Sequence, residues 1–265
     1  MNETPTPVFN KLKQCRHGNM LFNINDQYIG KSFDLYGEYS EGEIILFDQI
    51  VREGQVVVDV GANIGDLTLF FAKKVGLGGG VYAFEPQRFV FQTLCANMAL
   101  NNIVNTFCYN AALGVEKGEI IVPQIAPWGQ EYNFGGMALG GHQEGERVPL
   151  FPLDDLRLSM CHFIKIDVEG MELDVLLGAK TLIQAYRPVL YVENDRQEKS
   201  GDLIRHLDSL GYELYWHRPF LFNPDNFFHN PENIFGGIAS HNMLCLPREA
   251  GYCLDGFPKV EIPAV

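Results

Sequence analysis

Three ionisable side chains, Lys165, Asp167 and Glu169, alternate along the run Phe163-Ile164-Lys165-Ile166-Asp167-Val168-Glu169. In an extended strand, a period of two puts all three on one face, up to a turn expected at Val168 to Gly170. A second apolar run, Val189-Leu190-Tyr191-Val192, ends in Glu193-Asn194-Asp195. If the two runs are neighbouring strands, Asp167, Glu193 and Asn194 meet at the strand tips. Two chemistries suit such a group. Asp167, assisted by Lys165 and Glu193, can act as a base for a hydroxyl that becomes a nucleophile. Alternatively, oxygen ligands from Asp167, Glu193 and Asn194 can hold Mg²⁺ and leave positions for substrate and water. Glu169 and Glu172 have a plainer use as well, since acidic groups favour the N-terminus of the helix that follows.

A second constellation lies upstream. Asp59-Val-Gly61-Ala-Asn63-Ile-Gly65 follows the strand-like run Val56-Val57-Val58-Asp59-Val60 and opens a helix. Gly61 permits a tight turn and a close approach of the backbone to a ligand. Gly65 allows the helix to pack closely. Glu85 ends the next strand, where a carboxylate can accept hydrogen bonds from both hydroxyls of a ribose. The pattern is not the three-glycine fingerprint of a dinucleotide site, and Asp59 places negative charge where a pyrophosphate would sit. A nicotinamide-dependent oxidoreductase is therefore disfavoured. The loop suits S-adenosylmethionine, which carries an ammonium and a sulfonium but no phosphate.

The elements that must position these groups follow from periodicity. Strands are expected at 56–60, 81–84, 104–109, 163–168, 189–192, 212–216 and 242–246. Helical patterns separate most of the first six, which implies right-handed crossovers and a parallel sheet. One of these helices carries Leu173, Leu176, Leu177 and Leu182. Pro86 suits the first turn of another, where its missing N–H costs nothing. The seventh strand follows a loop, 217–241, with no helical period, so it is expected to be reversed. The fold class is thus α/β: a doubly wound seven-strand sheet with an antiparallel last strand. Residues 1–50 read as an N-terminal cap, with a small β element over 20–39 and a helix over 42–51. Residues 51–265 form the main domain. Within it, an insertion over about 113–160 contains two short strands, 119–122 and 147–150, around a Gly-rich loop.

Composition narrows the partners. Lys and Arg number 20 against 33 Asp and Glu, a net charge of −13. Such a chain lacks the overall basic character of duplex-binding proteins, so nucleic acid is an unpromising substrate. No apolar run reaches the length of a membrane span, and the first 14 residues have no apolar signal core. The six cysteines, Cys15, Cys95, Cys108, Cys161, Cys245 and Cys253, make no C-x-x-C pair and read as reduced thiols, which points to the cytoplasm. His142, His217, His229 and His241 have no ligand spacing and read as surface or capping residues.

Val57-Val58-Asp59-Val60-Gly61-Ala62-Asn63-Ile64-Gly65, together with Lys165-Ile166-Asp167-Val168-Glu169-Gly170-Met171-Glu172, resembles the FkbM-type family of S-adenosylmethionine-dependent methyltransferases. The resemblance covers about residues 25–247. It implies a class I methyltransferase (Rossmann-like) fold and, most often, O-methylation of a sugar, glycan or small natural product. N- or C-methylation on the same scaffold is the alternative, and a non-catalytic cofactor-binding protein the other. Carried over, Asp59, Gly61, Asn63 and Gly65 would contact the methionine part of the cofactor, with Asp167 facing it. Glu85, beside Pro86, would hold the ribose. Asn110 and Ala111 would lie near the adenine. The Asp167, Glu193, Asn194 set is similar to the Asp…Asp-Asn arrangement by which catechol-type O-methyltransferases hold Mg²⁺, with Glu193 departing from the pattern. The 217–241 loop, rich in Phe and Asn, and the insertion residues Trp128, Tyr132, Asn133, Gly135 and Gly136 are expected as substrate walls. Glu38 and Tyr39 are expected as a lid.

Overall fold

The computed structural model describes residues 8–128, 132–136, 141–252 and 254–264. Near-continuous apolar runs build the parallel strands β3 (Val56–Val60), β4 (Gly80–Phe84), β5 (Thr106–Tyr109), β9 (Phe163–Ile166) and β10 (Val189–Glu193). Such runs form strands because both faces of the sheet are covered by helices. With β11 (Tyr212–His217) and β12 (Asn242–Pro247) they form one sheet in the order β11-β12-β10-β9-β3-β4-β5. β12 runs antiparallel to both neighbours, β10 and β11. The expected reversed strand is therefore present, and it inserts between its predecessors rather than adding at the edge.

The helices α2 (Glu41–Ile50), α3 (Asp66–Val75), α4 (Arg88–Leu100) and α7 (Gln197–Ser209) cover the sheet. On one face, Phe47 of α2 and Phe71 of α3 pack against Val57, Phe163, Tyr191 and Leu244. On the other, Ile164, Ile166, Leu190 and Val192 meet Leu207 of α7 and Leu176 and Ile183. The chain leaves β3 toward β4 and β5, then returns to β9 beside β3. That reversal opens a crevice at the carboxyl ends of β3 and β9, where open α/β sheets bind ligands.

Three local expectations are corrected. The leucine-rich helix after β9 is two short helices, α5 (Glu172–Leu177) and α6 (Lys180–Tyr186). The break falls at Gly178, whose carbonyl accepts from Asp154 N (3.0 Å) and whose missing Cβ leaves room for the Gly114 carbonyl. In the cap, β1 (Asn10–Cys15) and β2 (Gly18–Asn23) form a hairpin, followed by helix α1 (Ile29–Leu35) rather than more strand. Ile29 and Phe33 lie one helical turn apart and are both buried. Pro86 lies ahead of α4, whose first residue is Arg88, and so is outside the first turn. In the insertion, β6 (Ala112–Leu113), β7 (Gly118–Val122) and β8 (Glu146–Phe151) form a small sheet. β7 and β8 are the two strands expected there.

Gly61 shows how tightly the crevice is built. Its φ is +80°, and a Cβ there would lie 1.7 Å from the Asp167 carbonyl oxygen. Gly61→Ala should therefore lower stability by about 2 kcal/mol or more in urea unfolding, from backbone strain and the displaced β9 end. An unfolding midpoint equal to that of the parent would contradict this account of the turn.

Candidate active site

The parallel register of β3, β9 and β10 sets Asp59, Lys165 and Tyr191 side by side on one face. Lys165 is 4% exposed. Its Nζ donates to the Gly61 carbonyl (2.8 Å) and lies 3.6 Å from Asp59 Oδ1 and 3.4 Å from Asp167 Oδ2. Burial alone would lower the proton affinity of this amine. The carboxylates of Asp167, Asp59, Glu43 and Asp66 together outweigh burial and hold its affinity for the proton above the usual range. Asp59 is fully buried beneath the loop, where its Oδ2 accepts from Thr68 Oγ1 (2.6 Å). It supports the loop from behind and does not reach the cleft surface, unlike the direct contact expected for it.

The crevice is lined by Gly61, Asn63, Glu85, Pro86, Lys165 and Asp167. Of the remaining cofactor candidates, Gly65 (φ +86°) packs against Leu94 of α4, where a Cβ would stand 2.5 Å from Leu94 Cδ1. This is the close helix packing expected of it. Glu85 is buried and accepts from the backbone N–H groups of Asn63 (3.0 Å) and Gln87 (2.7 Å). Burial pushes its carboxyl up to about 7, with those two N–H groups pulling the other way. The Asn110 amide donates to the carbonyls of Glu85 and Pro86, clamping the end of β4. Ala111 lines a narrow apolar slot with Gly61, Pro86, Val168 and Met171 beside the main crevice.

At the tips of β9 and β10, Asp167, Glu169 and Glu193 bring carboxylate oxygens within 4.8 Å of one another. The chain turns at Glu169 (φ +53°) and Gly170 (φ +101°). Arg196 pairs with Glu169 and lies 3.5 Å from Asp195. Glu193 Oε2 is buried without a hydrogen-bond partner. Burial, then the charges of Asp167, Glu169 and Asp195, push the Glu193 carboxyl well above the usual range. Asn194 does not join this group. It is buried, and its amide points at Met243 Sδ (3.3 Å), because the residue after Glu193 faces the other side of the sheet. The third oxygen donor at the tips is Glu169 instead.

The roof comes from the cap and the β11–β12 loop. Tyr28, Ile29, Tyr39 and Ser40 line the crevice from the cap, and Leu221, Ala239 and Ser240 from the loop. Glu38 has a different task from its neighbour Tyr39. It is 3% exposed and accepts from Arg16 Nε (2.5 Å), Asn223 Nδ2 (2.7 Å) and Phe227 N (2.8 Å), which ties cap and loop together. Phe222 and Phe235 pack on Tyr36 of the cap, whereas Phe220, Phe227 and Phe228 of the same loop are exposed. Asn133, Gly135 and Gly136 reach the crevice, whereas Trp128 lines a neighbouring groove with Phe89 and Phe134. Tyr132 pairs instead with the cap near Asn25 and Gln27.

Glu43, Asp66 and Asn242 also line the crevice and were missed from sequence. Glu43 and Asp66 read as ordinary acids in the first turns of α2 and α3, and only the packing of both helices on the sheet turns them inward. The partly buried His217 bonds Tyr191 OH (2.7 Å), and burial lowers its imidazole to about 4, so it is more than a surface residue. The five described cysteines are free, and Cys253 lies outside the described residues. No helix among the described residues is long and apolar enough to cross a membrane.

A seven-strand sheet in this order, with one reversed strand and a crevice at the tips of β3 and β9, defines the class I methyltransferase fold. The methyltransferase FkbM domain model matches residues 59–214, and the chain belongs to that family. A curated relative, "Methyltransferase 1" of Beauveria bassiana (strain ARSEF 2860), is 27% identical over 143 residues, covering 46% of this chain and 57% of the relative. The solved Methyltransferase FkbM from Methylobacillus flagellatus KT matches with a TM-score of 0.50 at 19% identity, covering 76% of this chain and 50% of that one. Precorrin-6y C5,15-methyltransferase from Geobacter metallireducens GS-15 matches with a TM-score of 0.50 at 10% identity, covering 80% and 95%. At those identities the two structures bear on the fold alone. The chain spans a little over half the length of its curated relative.

The buried acids make a pH-dependent signature. Burial, then Asp167, push Glu43 up to about 8, against Lys165 and the Asn242 amide. Between its unfolded value near 4.5 and about 8, the folded protein binds the proton that the unfolded chain has released, so this group's contribution to stability falls as pH rises. Glu43→Gln removes that loss. The stability of E43Q relative to the parent should therefore increase steadily from pH 5 to pH 8 in chemical denaturation. A relative stability that declines over that window would oppose the assignment.

Proposed function

We propose that the protein is an S-adenosylmethionine-dependent methyltransferase acting on a hydroxyl of a small molecule, with a sugar, glycan or natural product as the substrate class. The observation that carries the cofactor is charge. Among the described residues lining the crevice, the carboxyl groups of Glu43, Asp66, Glu85, Asp167, Glu169 and Glu193 stand against one amine, Lys165. A ligand with a net positive charge and no phosphate fits that donor set, and a dinucleotide does not. When bound, S-adenosylmethionine supplies an electrophilic methyl group on a sulfonium.

The chain's own residues then have distinct tasks. Glu85 offers carboxylate lone pairs to the ribose hydroxyls, and Gly61 lets the backbone come close. Pro86 and Ala111 present apolar surface suited to adenine. Asp167, held by Lys165 and with its side chain 42% exposed, faces the acceptor. Asp167 and Glu193 bring carboxylate oxygens within 4.8 Å of each other, and the buried Glu193 holds its proton tightly, so Asp167 is the base that can take the proton an acceptor hydroxyl loses, with Glu193 beside it. Alignment of acceptor and methyl group within the roofed crevice supplies the rest.

The Mg²⁺ arrangement expected from sequence loses Asn194, and Arg196 brings a guanidinium against Glu169. The proposed mechanism therefore uses the carboxyl pair without a metal. The O-methyl assignment rests on the family and on this pair.

The protein should bind S-adenosylhomocysteine and not NAD in calorimetry, and should transfer labelled methyl to a small-molecule or carbohydrate fraction. Turnover should persist after exhaustive chelation, and a full, Mg²⁺-reversible loss would restore the metal alternative. Asp167→Asn should lower kcat about 100-fold or more while changing S-adenosylhomocysteine affinity far less. Glu85→Ala should weaken that affinity about tenfold or more. Label found only in protein or nucleic acid would overturn the substrate class.

A further inference from the structure

A groove of about 320 Å³ adjoins the crevice, between the start of α4 and the insertion. That volume is in the range of small-molecule sites. Gln87 lines both spaces, and its side-chain amide donates to the Phe134 carbonyl (2.7 Å). One side chain and one stretch of backbone thus stand between them. No step of the methyl transfer uses the groove. Phe89, Phe134 and Val122 give it apolar surface, and Trp128 adds an indole that is 58% exposed. This exposed ring is anchored. The carbonyl of Pro127, just before it, accepts from the side-chain amides of both Asn23 (2.9 Å) and Asn25 (3.0 Å), and the Phe9 ring lies 6.4 Å from the indole. Ordering a large ring costs entropy that its exposed face does not recover by burial. An aromatic face ordered in advance lowers the cost of binding a ligand.

The polar groups of the groove are planar and balanced in charge. Arg88 grips Glu146 with two parallel bonds, Nε to Oε2 (2.9 Å) and Nη2 to Oε1 (2.6 Å), and Gln124 Nε2 donates to Oε1 as well (3.0 Å). The Arg88 guanidinium holds the Glu146 carboxyl below its usual range, so both groups are charged and the pair is neutral. They are the one cation and the one anion among the described residues lining the groove. The crevice, by contrast, is strongly acidic. A charged ligand therefore finds no unbalanced partner in the groove. A purely apolar ligand would strip water from the pair without replacing its hydrogen bonds. A neutral ring with C–H groups on its face and hydroxyls on its rim satisfies both surfaces, stacking on the indole and bonding the Glu146 and Gln124 side chains.

We propose that this groove is a second binding site, for a neutral sugar residue stacked on Trp128 and hydrogen-bonded to Glu146 and Gln124, and that it holds a part of the acceptor remote from the reacting hydroxyl. The proposal rests on the methyltransferase reading above and narrows its substrate class to saccharides of more than one unit. One unit presents its hydroxyl in the crevice, and another is held in the groove beyond Gln87.

The chain has two tryptophans, Trp128 and Trp216. In Trp216→Phe the indole fluorescence therefore comes from Trp128 alone. The full chain carrying that substitution is titrated with methyl glycosides of neutral hexoses, deoxyhexoses and N-acetylhexosamines, and with disaccharides of the same sugars. At least one should give a saturable change in fluorescence. Adding Glu146→Gln, which keeps the indole and removes the anionic acceptor, should weaken that sugar about tenfold or more and leave S-adenosylhomocysteine affinity within about twofold. Trp128→Ala should lose the sugar's saturation-transfer NMR signal and spare S-adenosylhomocysteine in the same way. No response to any sugar, or an undiminished response in E146Q, would overturn the proposal. A tighter response to cyclohexanol than to every sugar would overturn it too, by assigning the groove to an apolar ligand. S-Adenosylhomocysteine binding without sugar binding would sink the groove alone. Sugar binding without S-adenosylhomocysteine binding would sink the cofactor assignment and leave the groove standing.

Discussion

The site depends on one close approach between two strand ends. The Gly61 turn after β3 lies against the backbone of Asp167 at the end of β9, and Lys165 bridges them from below through the Gly61 carbonyl. Asp59 underlies the same knot, bonded by Thr68 from α3. A side chain at residue 61 would separate the strands, and an uncharged residue at 165 would leave two carboxylates facing each other in the interior. The knot therefore sets the distance between the cofactor loop and the acidic tips of β9 and β10. Every other feature of the crevice is placed relative to it.

An excess of acid above that knot gives the site its character. Carboxyl groups enter from five directions: β9 and the turn after it, β10, the end of β4, and the first turns of α2 and α3. Several hold protons more tightly than usual because burial makes their charge costly. Such groups destabilise the folded chain when ionised, and a cationic ligand offsets that cost. Stability and ligand preference are thus linked through the same residues. This is the physical content of the proposed fit to a sulfonium cofactor, and it also explains why a phosphate-bearing cofactor is a poor match.

The roof is a separate construction. Glu38, Tyr36 and Arg16 of the cap hold the β11–β12 loop through its backbone. The β2 strand docks on α4 through Asn97, whose amide bonds both polar groups of Leu21. The cap is thereby fixed to the sheet domain on one side and to the loop on the other. Tyr39 and Ser40 are carried into the crevice by that fixing, so its roof is built from elements far apart in sequence.

The sequence by itself determined the sheet, its reversed strand and the glycine turn after β3. Period-two alternation, apolar runs and glycine turns are local properties, and the backbone obeys them wherever both faces are buried. Lys165, Asp167 and Glu85 were legible for the same reason: each ends a strand at a sheet edge. Tertiary structure decided the rest. Asn194 follows Glu193 at the tip of the strand beside Asp167, which suggested a shared group, yet the pleat turns it to Met243 and leaves Glu169 in its place. The leucine-rich helix breaks at Gly178, where Asp154 and Gly114 approach its backbone, contacts invisible in a linear pattern. Glu43 and Asp66 are indistinguishable in sequence from ordinary first-turn acids, and Asp59 from a ligand contact. Which of them faces the crevice depends on how α2 and α3 pack against the sheet, and that orientation is set by long-range contacts rather than by the residues on either side.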